Sequence, residues 1–375
     1  MKTISVTHLI TGLNTGGAEM ALFRLLQNMD RQRFDMQVVS MIPVGPVGEQ
    51  IRALGIPVIS LEMPAGRPSL RGLCQLVGLL KQFRPAILQT WLYHADLMGL
   101  MAAKLAGVPA VIWNIRSAEM DFSLYRRLSG LVMRACAIFS GFPNAIIVNS
   151  RAGQNVHTRL GYHPKEWQFI PNGIDVEHFS ANEDAGQLIR LDWGVTSGEI
   201  LIGLVGRLDP VKDHPTFLKA AAIVQAQHPK VCFVCMGAGP SAYLNELKGL
   251  AEQMGVSQLL WVGTRTDMPA VYSALDILVS SSTGEGFPNV VAEAMACECP
   301  CVATDVGDSA ILVAETGLSV PPRNPEALAD AILRMVELPE TKREHLGKKA
   351  RQRIKENFSL AQMVHTYSNL YKSLS

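Results

Sequence analysis

Short apolar runs rich in β-branched residues alternate with segments of helical periodicity along nearly the whole chain. Parallel strands that are buried on both faces look like this, and a helix must connect each strand to the next. Apolar residues make up 48% of the 375 residues, which is enough for packed cores, and the length favours two domains. The alternation therefore predicts an α/β protein made of doubly wound parallel sheets.

In the first half of the chain the pattern predicts six strands and five helices. The strands are 3–10, 36–41, 57–60, 86–90, 110–115 and 145–149. The helices are 17–28, 69–83, 95–106, 123–139 and 150–160. The alternation fails between residues 172 and 197, where Asn172, Gly173 and several polar residues interrupt it. This stretch is the predicted domain boundary.

The second half repeats the alternation. Its predicted strands are 200–205, 231–236, 258–262, 276–280, 300–303 and 318–320, and its helices are 213–227, 241–254, 267–274, 289–297 and 325–336. Beyond residue 338 the pattern is helical, and 359–372 carries apolar residues at one-face spacing. We therefore predict Rossmann-like domains at 1–172 and 173–355, followed by a helical segment, 356–375, that needs a docking surface.

Charge and cysteine content exclude several classes of protein. The net charge of +1 gives no overall basic field, which argues against nucleic acid as a partner. Residues 1–180 carry 17 basic and 11 acidic side chains, so that half is the basic one. Seven cysteines and no apolar segment suited to export or to membrane spanning predict a cytoplasmic protein. Cys232 and Cys235 sit in an apolar run, where cysteine serves as a small apolar residue, and Cys297, Cys299 and Cys301 lack zinc-finger spacing, so we predict no bound metal.

Loops after the predicted strands carry the polar residues expected of a ligand site, because such sheets bind ligands beyond the carboxyl ends of their strands. Gly16 and Gly17 open a helix, where backbone N–H groups can face an anion. Arg207 and Lys212 follow the strand at 200–205. This pair could neutralise a diphosphate in place of a metal ion.

Two carboxylates and a histidine complete the predicted site. Glu285 lies in a glycine-rich loop, and Glu293 lies about one turn into the next helix, where it could bind vicinal hydroxyls such as those of a ribose. The amides of Asn289 and Val290 would face a phosphate. His94 follows the strand at 86–90, beside two aromatic residues. We expect it at the same ligand edge of its own sheet.

A rival cofactor motif runs from Gly237 to Ala242 and formally matches a dinucleotide-binding turn. It follows the second strand of its domain, not the first, and the next strand ends in Gly263, Thr264 and Arg265, none of which is acidic. A dehydrogenase is therefore disfavoured, and Gly239 is interpreted as part of a close turn near a nucleotide. The chain contains no Walker lysine motif, no His-Glu-x-x-His and no D-x-D triplet.

Together these motifs resemble those of the retaining glycosyltransferases of family 4. The resemblance covers essentially the whole chain and rests on five segments. They are Thr15 to Glu19, Pro171 to Asp175, Val205 to Leu208 with Lys212, Met236 to Pro240, and Glu285 to Ala294, the last being the family's E-x7-E motif.

The resemblance implies a GT-B fold, in which two Rossmann-like domains face each other across a cleft and the final helix, 359–372, returns to the N-terminal domain. It implies transfer of a hexose or N-acetylhexosamine from a UDP-sugar, or a GDP-sugar, with retention of configuration and without a metal or other cofactor. The acceptor would be a glycan or lipid-linked glycan, bound by the N-terminal domain, in polysaccharide or lipopolysaccharide biosynthesis. Neither the sugar nor the acceptor is fixed by it.

The resemblance also implies roles for individual residues. It places Arg207 and Lys212 on the diphosphate of the donor, Glu293 on its ribose and Arg265 along its base. Glu285 and the amides from Phe287 through Pro288 to Asn289 would bind the sugar hydroxyls. His94 would lie near the reacting sugar, and Gly16 and Gly17 would close on the phosphates. A sugar-nucleotide 2-epimerase and a non-catalytic sugar-nucleotide sensor are the alternatives. A sensor would lack Glu285 or His94, so their presence favours the transferase.

The last prediction concerns the membrane. Residues 116–139 interleave Arg116, Arg126, Arg127 and Arg134 with apolar side chains. A helix with cations beside an apolar face suits an anionic membrane, which would place the protein peripherally on the inner face of the plasma membrane. The alternative is a core-facing helix whose arginines form a solvated rim.

Overall fold

The computed structural model describes residues 3–64, 66, 69–116 and 127–375, and it describes only the backbone of 127–129. The chain divides into two compact units. The first contains Met1–Gly173 and Leu360–Ser375, and the second contains Ile174–Ser359. The second crossing between units lies at 359/360 and not at the predicted 355/356, because helix continues to Asn357 and Ile174 forms a β-bridge with Ser359.

The first unit contains a parallel sheet of seven strands. They are β1 (Ile4–Ile10), β2 (Phe34–Ser40), β3 (Val58–Ser60), β4 (Ile87–Trp91), β5 (Ala110–Ile115), β6 (Ala145–Val148) and β7 (Trp167–Phe169). Their order is β3-β2-β1-β4-β5-β6-β7. Strand β1 is an inner strand, with Val6 paired to Met36 of β2 on one side and to Ile87 of β4 on the other.

Helices cover both faces of this sheet. They are α1 (Gly17–Asn28), α2 (Pro46–Ala53), α3 (Leu70–Phe83), α4 (Tyr93–Ala106), α5 (Arg127–Phe139) and α6 (Arg151–Arg159). The described part of the predicted helix 123–139 is α5, and residues 123–126 lie outside the described residues. Ser69 and Ser150 cap α3 and α6, since each hydroxyl accepts a hydrogen bond from the N–H three residues on.

The last helix of the chain, α15 (Leu360–Leu374), belongs to the first unit. Its Tyr367 and Tyr371 are fully buried against the sheet. Asn114 of β5 donates a hydrogen bond to the Tyr367 hydroxyl at 2.8 Å, and Tyr371 donates to Gln89 of β4 at 2.5 Å. The apolar side of this helix, predicted from its spacing, therefore covers β4 and β5.

The second unit contains six parallel strands. They are β8 (Ile200–Val205), β9 (Val231–Met236), β10 (Leu259–Gly263), β11 (Ile277–Ser280), β12 (Cys301–Thr304) and β13 (Leu318–Val320). The order is β10-β9-β8-β11-β12-β13, which repeats the order of the first six strands. The doubly wound parallel sheets predicted from the sequence are confirmed in both units.

The second unit contains eight helices. They are α7 (Glu183–Asp192), α8 (His214–Gln227), α9 (Ser241–Gln253), α10 (Met268–Ala274), α11 (Asn289–Ala296), α12 (Ser309–Val313), α13 (Pro325–Val336) and α14 (Glu340–Asn357), with short 3-10 turns at Pro210–Lys212 and Ala314–Thr316. Four elements of the chain were not predicted: α2, β7, α7 and α12.

Candidate active site

The predicted ligand residues lie at corresponding places in the two sheets. Each sheet reverses its strand order once, between β1 and β4 in the first unit and between β8 and β11 in the second. Gly16, His94, Arg207 and Glu285 lie in the segments that follow the carboxyl ends of these strands. In open α/β sheets such a switch point is where ligands bind.

In the second unit, Lys212 and Glu285 form an ion pair that joins the loops after β8 and β11. The Lys212 Nζ lies 2.5 Å from a carboxylate oxygen of Glu285, and the two side chains are 21% and 14% exposed. Ser282 donates a hydrogen bond to the same oxygen at 2.7 Å. The Ser281 hydroxyl donates to the backbone carbonyl of Lys212 at 2.8 Å. A cation and a carboxylate are thus held together at the switch point.

Arg207 is the exposed cation of this edge. It is the second residue after β8, its side chain is 80% exposed, and its guanidinium lies 3.8 Å from Asp209. An exposed pair at that distance holds an arginine weakly. The side chain is therefore available to an anionic ligand.

Glu293 is anchored by a tyrosine that the sequence did not single out. It lies in α11, and the hydroxyl of Tyr272 in α10 donates a hydrogen bond to its carboxylate at 3.0 Å. Tyr272 is 1% exposed, and burial raises the pKa of its hydroxyl, so it stays a donor at neutral pH. The carboxylate is thereby held in one orientation.

The first turn of α11 supplies backbone N–H groups. Its first intrahelical hydrogen bond runs from Ala292 to the carbonyl of Pro288, so the N–H of Val290 precedes that bond. The side chain of Phe287 packs in the core against Phe358, with ring centroids 5.7 Å apart, and only its backbone can serve a ligand. Pro288 has no N–H, so the predicted run of amides is interrupted there.

The loop after β12 contacts the backbone of the loop that carries Glu285. The sequence pattern does not predict this contact. The N–H of Asp308 donates to the carbonyl of Gly286 at 3.0 Å. Gly307 has φ +59°, and a Cβ at this position would collide with the carbonyl oxygens of Glu285 and Gly286. Glycine is required there by the close approach of the two loops.

Gly239 has a structural explanation that does not involve a ligand. A Cβ at Gly239 would collide with the backbone carbonyl of Leu208, and one at Gly237 would overlap that of Gly206. The N–H of Leu208 donates to the carbonyl of Ala238 at 2.9 Å. These glycines allow the loops after β8 and β9 to pack backbone to backbone. Contact between Gly239 and a nucleotide stays a prediction.

Arg265 follows the edge strand β10 and is held by acidic neighbours. Two of its nitrogens bind the carboxylate of Asp267 at 2.8 and 2.5 Å, and a third lies 3.7 Å from Asp192. Its guanidinium also lies 6.0 Å from the ring of Trp193. The arginine is fixed at the carboxyl edge of the sheet, and its contact with a base stays a prediction.

In the first unit, Gly16 is the N-cap of α1 and Gly17 its first residue. Gly16 has an extended φ of −164°, so its backbone does not require glycine. A Cβ at Gly17 would meet nothing within 4 Å, whereas one at Gly16 would meet the carboxylate of Glu19. There is therefore open space beside Gly17 but not beside Gly16.

His94 lies in the first turn of α4, and not in a loop before a helix starting at 95 as predicted. The residue before this helix, Leu92, has φ +73°, which a leucine adopts only when its surroundings force it. Burial lowers the pKa of His94, so the imidazole is neutral at pH 7. Asp96, in the same helix, is buried and accepts a hydrogen bond from Thr90 at 2.5 Å.

Comparisons with known proteins agree with this arrangement. Residues 15–178 match the family model described as Glycosyltransferase Family 4, and residues 199–337 match the model described as Glycosyl transferases group 1. The chain belongs to glycosyltransferase family 4. The two matched segments of this glycosyltransferase include strands of both sheets.

Individual relatives are also glycosyltransferases. The chain is 26% identical, over 93% of its length and 91% of the relative's, to UDP-Gal:alpha-D-GlcNAc-diphosphoundecaprenol alpha-1,3-galactosyltransferase of Escherichia coli. It is 33% identical to D-inositol 3-phosphate glycosyltransferase of Corynebacterium glutamicum, over 56% of this chain and 52% of that one. The crystal structure of Anabaena Alr3699/HepE in complex with UDP has the same fold, with a TM-score of 0.85, 21% identity and coverage of 99% and 100%.

The residues predicted to face a membrane have different environments in this glycosyltransferase. Arg116 is partly exposed and contacts Trp91 and Asn172 of the first unit, so its place at a membrane stays a prediction. Arg134 is exposed on α5. Arg126 and the side chain of Arg127 lie outside the described residues. None of the helices, as far as they are described, is long and apolar enough to span a bilayer.

The cysteines of the glycosyltransferase are free thiols. Cys297, Cys299 and Cys301 are packed in the core of the second unit, and burial raises the pKa of the Cys297 thiol to about 12. Within the described ranges, no group of three His, Cys, Asp or Glu side chains could hold a metal ion.

Proposed function

We propose that this glycosyltransferase moves a hexose or N-acetylhexosamine from a UDP-sugar to a glycan or lipid-linked glycan, with retention of configuration and without a metal. The observation that carries the proposal is the group formed by Lys212, Glu285 and Ser282 beside the exposed Arg207. A donor needs cations for its diphosphate and a hydroxyl-binding carboxylate next to them. The switch point of the second sheet supplies both.

In the proposed mechanism, Arg207 and Lys212 bind the diphosphate, and Glu293 binds the ribose hydroxyls. The ammonium group of Lys212 has three donors, so it can keep its bond to Glu285 while contacting a phosphate oxygen. The two cations stabilise the negative charge that develops on the leaving phosphate, the role that a metal plays in other transferases. Glu285 orients the sugar through its hydroxyls.

The bond between the anomeric carbon and the phosphate oxygen breaks, and the acceptor oxygen bonds to that carbon from the same face. The acceptor's proton passes to the leaving phosphate, so UDP is released. Neutral His94 is assigned to the reacting sugar, where it can donate or accept one hydrogen bond. UDP as the nucleotide is supported by the name of the E. coli relative, whose donor is UDP-Gal. A GDP-sugar is the second candidate.

Thermal melting with UDP tests the nucleotide site. At 100 times Kd, UDP should stabilise the protein by about 2.7 kcal/mol, with or without EDTA. Arg207→Ala and Lys212→Ala should abolish this shift. Lys219→Ala removes an exposed cation from α8 in the same unit and should leave it intact. Stabilisation that vanishes in EDTA would contradict metal-free binding. A larger shift with GDP than with UDP would make GDP the nucleotide of the donor.

Product analysis tests the reaction itself. Glu285→Ala and His94→Ala should lose turnover far more than UDP affinity, because both residues are assigned to the sugar. The anomeric configuration of the product, read by NMR, should match that of the donor. An inverted product would rule out the same-face mechanism. Wild-type turnover in both variants would rule out the site.

We further propose that α5 lies on an anionic membrane at the cytoplasmic face, which would bring a lipid-linked acceptor to the first unit. Leu131, Arg134 and Ile138 are exposed at three- and four-residue spacing on one side of this helix. Phe142 is also exposed, and the Lys104 ammonium lies 5.2 Å from its ring centroid. An exposed apolar stripe with cations beside it matches a helix lying in the membrane interface.

Liposome flotation tests this placement. Wild type should float with vesicles containing anionic lipid, and Leu131→Ser/Ile138→Ser and Arg134→Glu should reduce recovery. Leu188→Ser removes an equally exposed leucine from the second unit and is the matched control. Equal recovery with neutral and anionic vesicles, or no flotation of the wild type, would leave the acceptor to be sought among water-soluble glycans.

A further inference from the structure

Arg116 occupies an unusual position for a cation. It directly follows β5 at the carboxyl end of the first sheet. Its Nη2 donates a hydrogen bond to the side-chain oxygen of Asn172 at 2.5 Å, and its guanidinium carbon lies 5.6 Å from the centroid of the Trp91 ring. The hydroxyl of Tyr367 is its other polar neighbour. All three of these neighbours are uncharged.

The charge of Arg116 is not balanced by the described part of the chain. No ion pair there includes Arg116, and its buried Nη1 has no hydrogen-bond partner among the described residues. Burial lowers the pKa of the guanidinium, but arginine keeps its charge at neutral pH. A buried charge without a counter-ion is costly, and an anion bound beside it would offset that cost.

The surroundings of Arg116 fit a ligand site. The ends of β4, β6 and β7 lie on the same edge of the sheet, where Asn149 is 5% exposed and its Nδ2 lies 3.5 Å from the Asn172 oxygen. Leu92, with its positive φ, and His94 follow β4 at that edge. Arg116 as a residue is partly exposed, and its unpartnered Nη1 is buried.

We propose that Arg116 binds a phosphate group of the acceptor. The inference rests on the proposed function and assigns it an acceptor class. A planar guanidinium can donate two parallel hydrogen bonds to a phosphate, a geometry that a lysine cannot reproduce. Two relatives are named for phosphate-bearing acceptors, a sugar diphospholipid and an inositol phosphate. The phosphate can thus belong to a lipid-linked diphosphate or to a free sugar phosphate.

Acceptor kinetics with Arg116→Gln and Arg116→Lys test the proposal. Three acceptors carry the same sugar as a short prenyl diphosphate, as a 1-phosphate and as a neutral octyl glycoside. For Arg116→Gln, the KM of the phosphate-bearing acceptor should rise about tenfold to hundredfold, the loss expected for one charge-assisted pair. The KM of the neutral glycoside and the Kd of UDP should not change. Arg116→Lys should recover part of the loss.

Arg159→Gln is the matched control, since it removes an exposed arginine from α6 of the same unit. Preference for the prenyl diphosphate over the 1-phosphate identifies the lipid-linked source, and the reverse identifies the free sugar phosphate. An equal loss on all three acceptors would assign Arg116 a purely structural role and overturn the proposal. The same holds if Glu119→Gln or Asp121→Asn reproduces the loss, because the counter-charge would then come from this chain.

A binding measurement separates this proposal from the proposed function. In an Arg207→Ala/Lys212→Ala background the nucleotide site is disabled, and inorganic pyrophosphate can be titrated by calorimetry. Binding that remains there and disappears with Arg116→Gln supports the acceptor site even if no acceptor is turned over. Absence of such binding, alongside normal UDP binding by the wild type, overturns the Arg116 proposal and leaves the donor site standing.

Discussion

At the scale of single residues, the hydrogen bond from Tyr272 orients the Glu293 carboxylate, which we propose binds the ribose. Because α10 and α11 supply one partner each, the carboxylate does not have to be ordered when the nucleotide binds. Removing only the hydroxyl therefore isolates this contribution from the carboxylate itself.

We expect Tyr272→Phe to weaken UDP binding about three- to tenfold, the loss of roughly 1 kcal/mol for one hydrogen bond. Glu293→Ala should weaken it more. The difference in Kd between UDP and 2'-deoxy-UDP, measured by calorimetry, should shrink in both variants. Tyr162→Phe, which removes a buried hydroxyl from the first unit, is the control. If the difference in Kd between UDP and 2'-deoxy-UDP is unchanged in the variants, Glu293 does not bind the ribose.

His94 makes a prediction about pH. Burial lowers its pKa, so the neutral imidazole persists below the ordinary value of 6.5. As pH falls through that lowered pKa, the ring gains a proton and loses its acceptor nitrogen. The acid limb of kcat should therefore lie below pH 6.5, and His94→Gln should remove this limb together with most of the rate. A limb that persists unchanged in the variant belongs to another group.

The residue types of the site could be predicted from the sequence, but their pairings could not. Lys212 and Glu285 are 73 positions apart, and only the adjacency of β8 and β11 brings their loops together. The sequence pattern groups Arg116 with the surface cations because it opens the stretch 116–139, in which arginines alternate with apolar residues. Its environment comes from Trp91, Asn172 and Tyr367, which lie far from it in sequence.

At the scale of elements, α4 is held against the sheet by a buried carboxyl group. Asp96 accepts a hydrogen bond from Thr90 of β4, and burial raises its pKa well above the usual range. A protonated carboxyl can donate as well as accept, much as an amide does. This contact fixes the first turn of α4, the turn that carries His94.

We expect Asp96→Asn to keep most activity and stability, and Asp96→Ala to lower kcat at least tenfold with little change in UDP affinity. The alanine leaves the Thr90 hydroxyl without its partner and frees the first helical turn to shift. Steady-state kinetics with calorimetry of UDP binding separates the two effects. Equal kcat values for alanine and asparagine would mean that Asp96 does not position His94.

The elements that were missed have weak patterns for identifiable reasons. Helix α7 buries only Gly186 and Ile189 and exposes Leu188 and Leu191, so its apolar residues do not mark one inner face. Asn182 caps it, but an isolated cap in a polar stretch also suits a linker. Strand β7 has three half-buried residues at the edge of the sheet, too few for a periodic signal.

At the scale of the whole molecule, buried histidines make stability depend on pH. Burial lowers the pKa of His8 to about 3, and that of His157 and His214 to about 4. Unfolded histidines take up protons near pH 6.5, whereas these three stay neutral in the folded protein. Their stabilising effect is therefore complete above pH 6.5 and is lost as pH falls towards 4.

Between pH 7 and pH 5, each of these histidines should cost about 2 kcal/mol of unfolding free energy. Urea unfolding at the two pH values measures the total. His157→Gln should reduce the pH dependence by about that amount, whereas His365→Gln, at an exposed position, should not change it. Identical slopes for the two variants would mean that His157 titrates normally in the folded protein.

The assignment of α15 to the first unit has a consequence for biosynthesis. The ribosome makes β1 to β7 first, but the helix that covers Gln89 and Asn114 emerges only after the second unit. At roughly 5–20 residues per second, about 190 intervening residues leave that side of the nascent sheet uncovered for some 10–40 s. The second unit can therefore finish folding before the first, whose sheet is completed only when α15 docks.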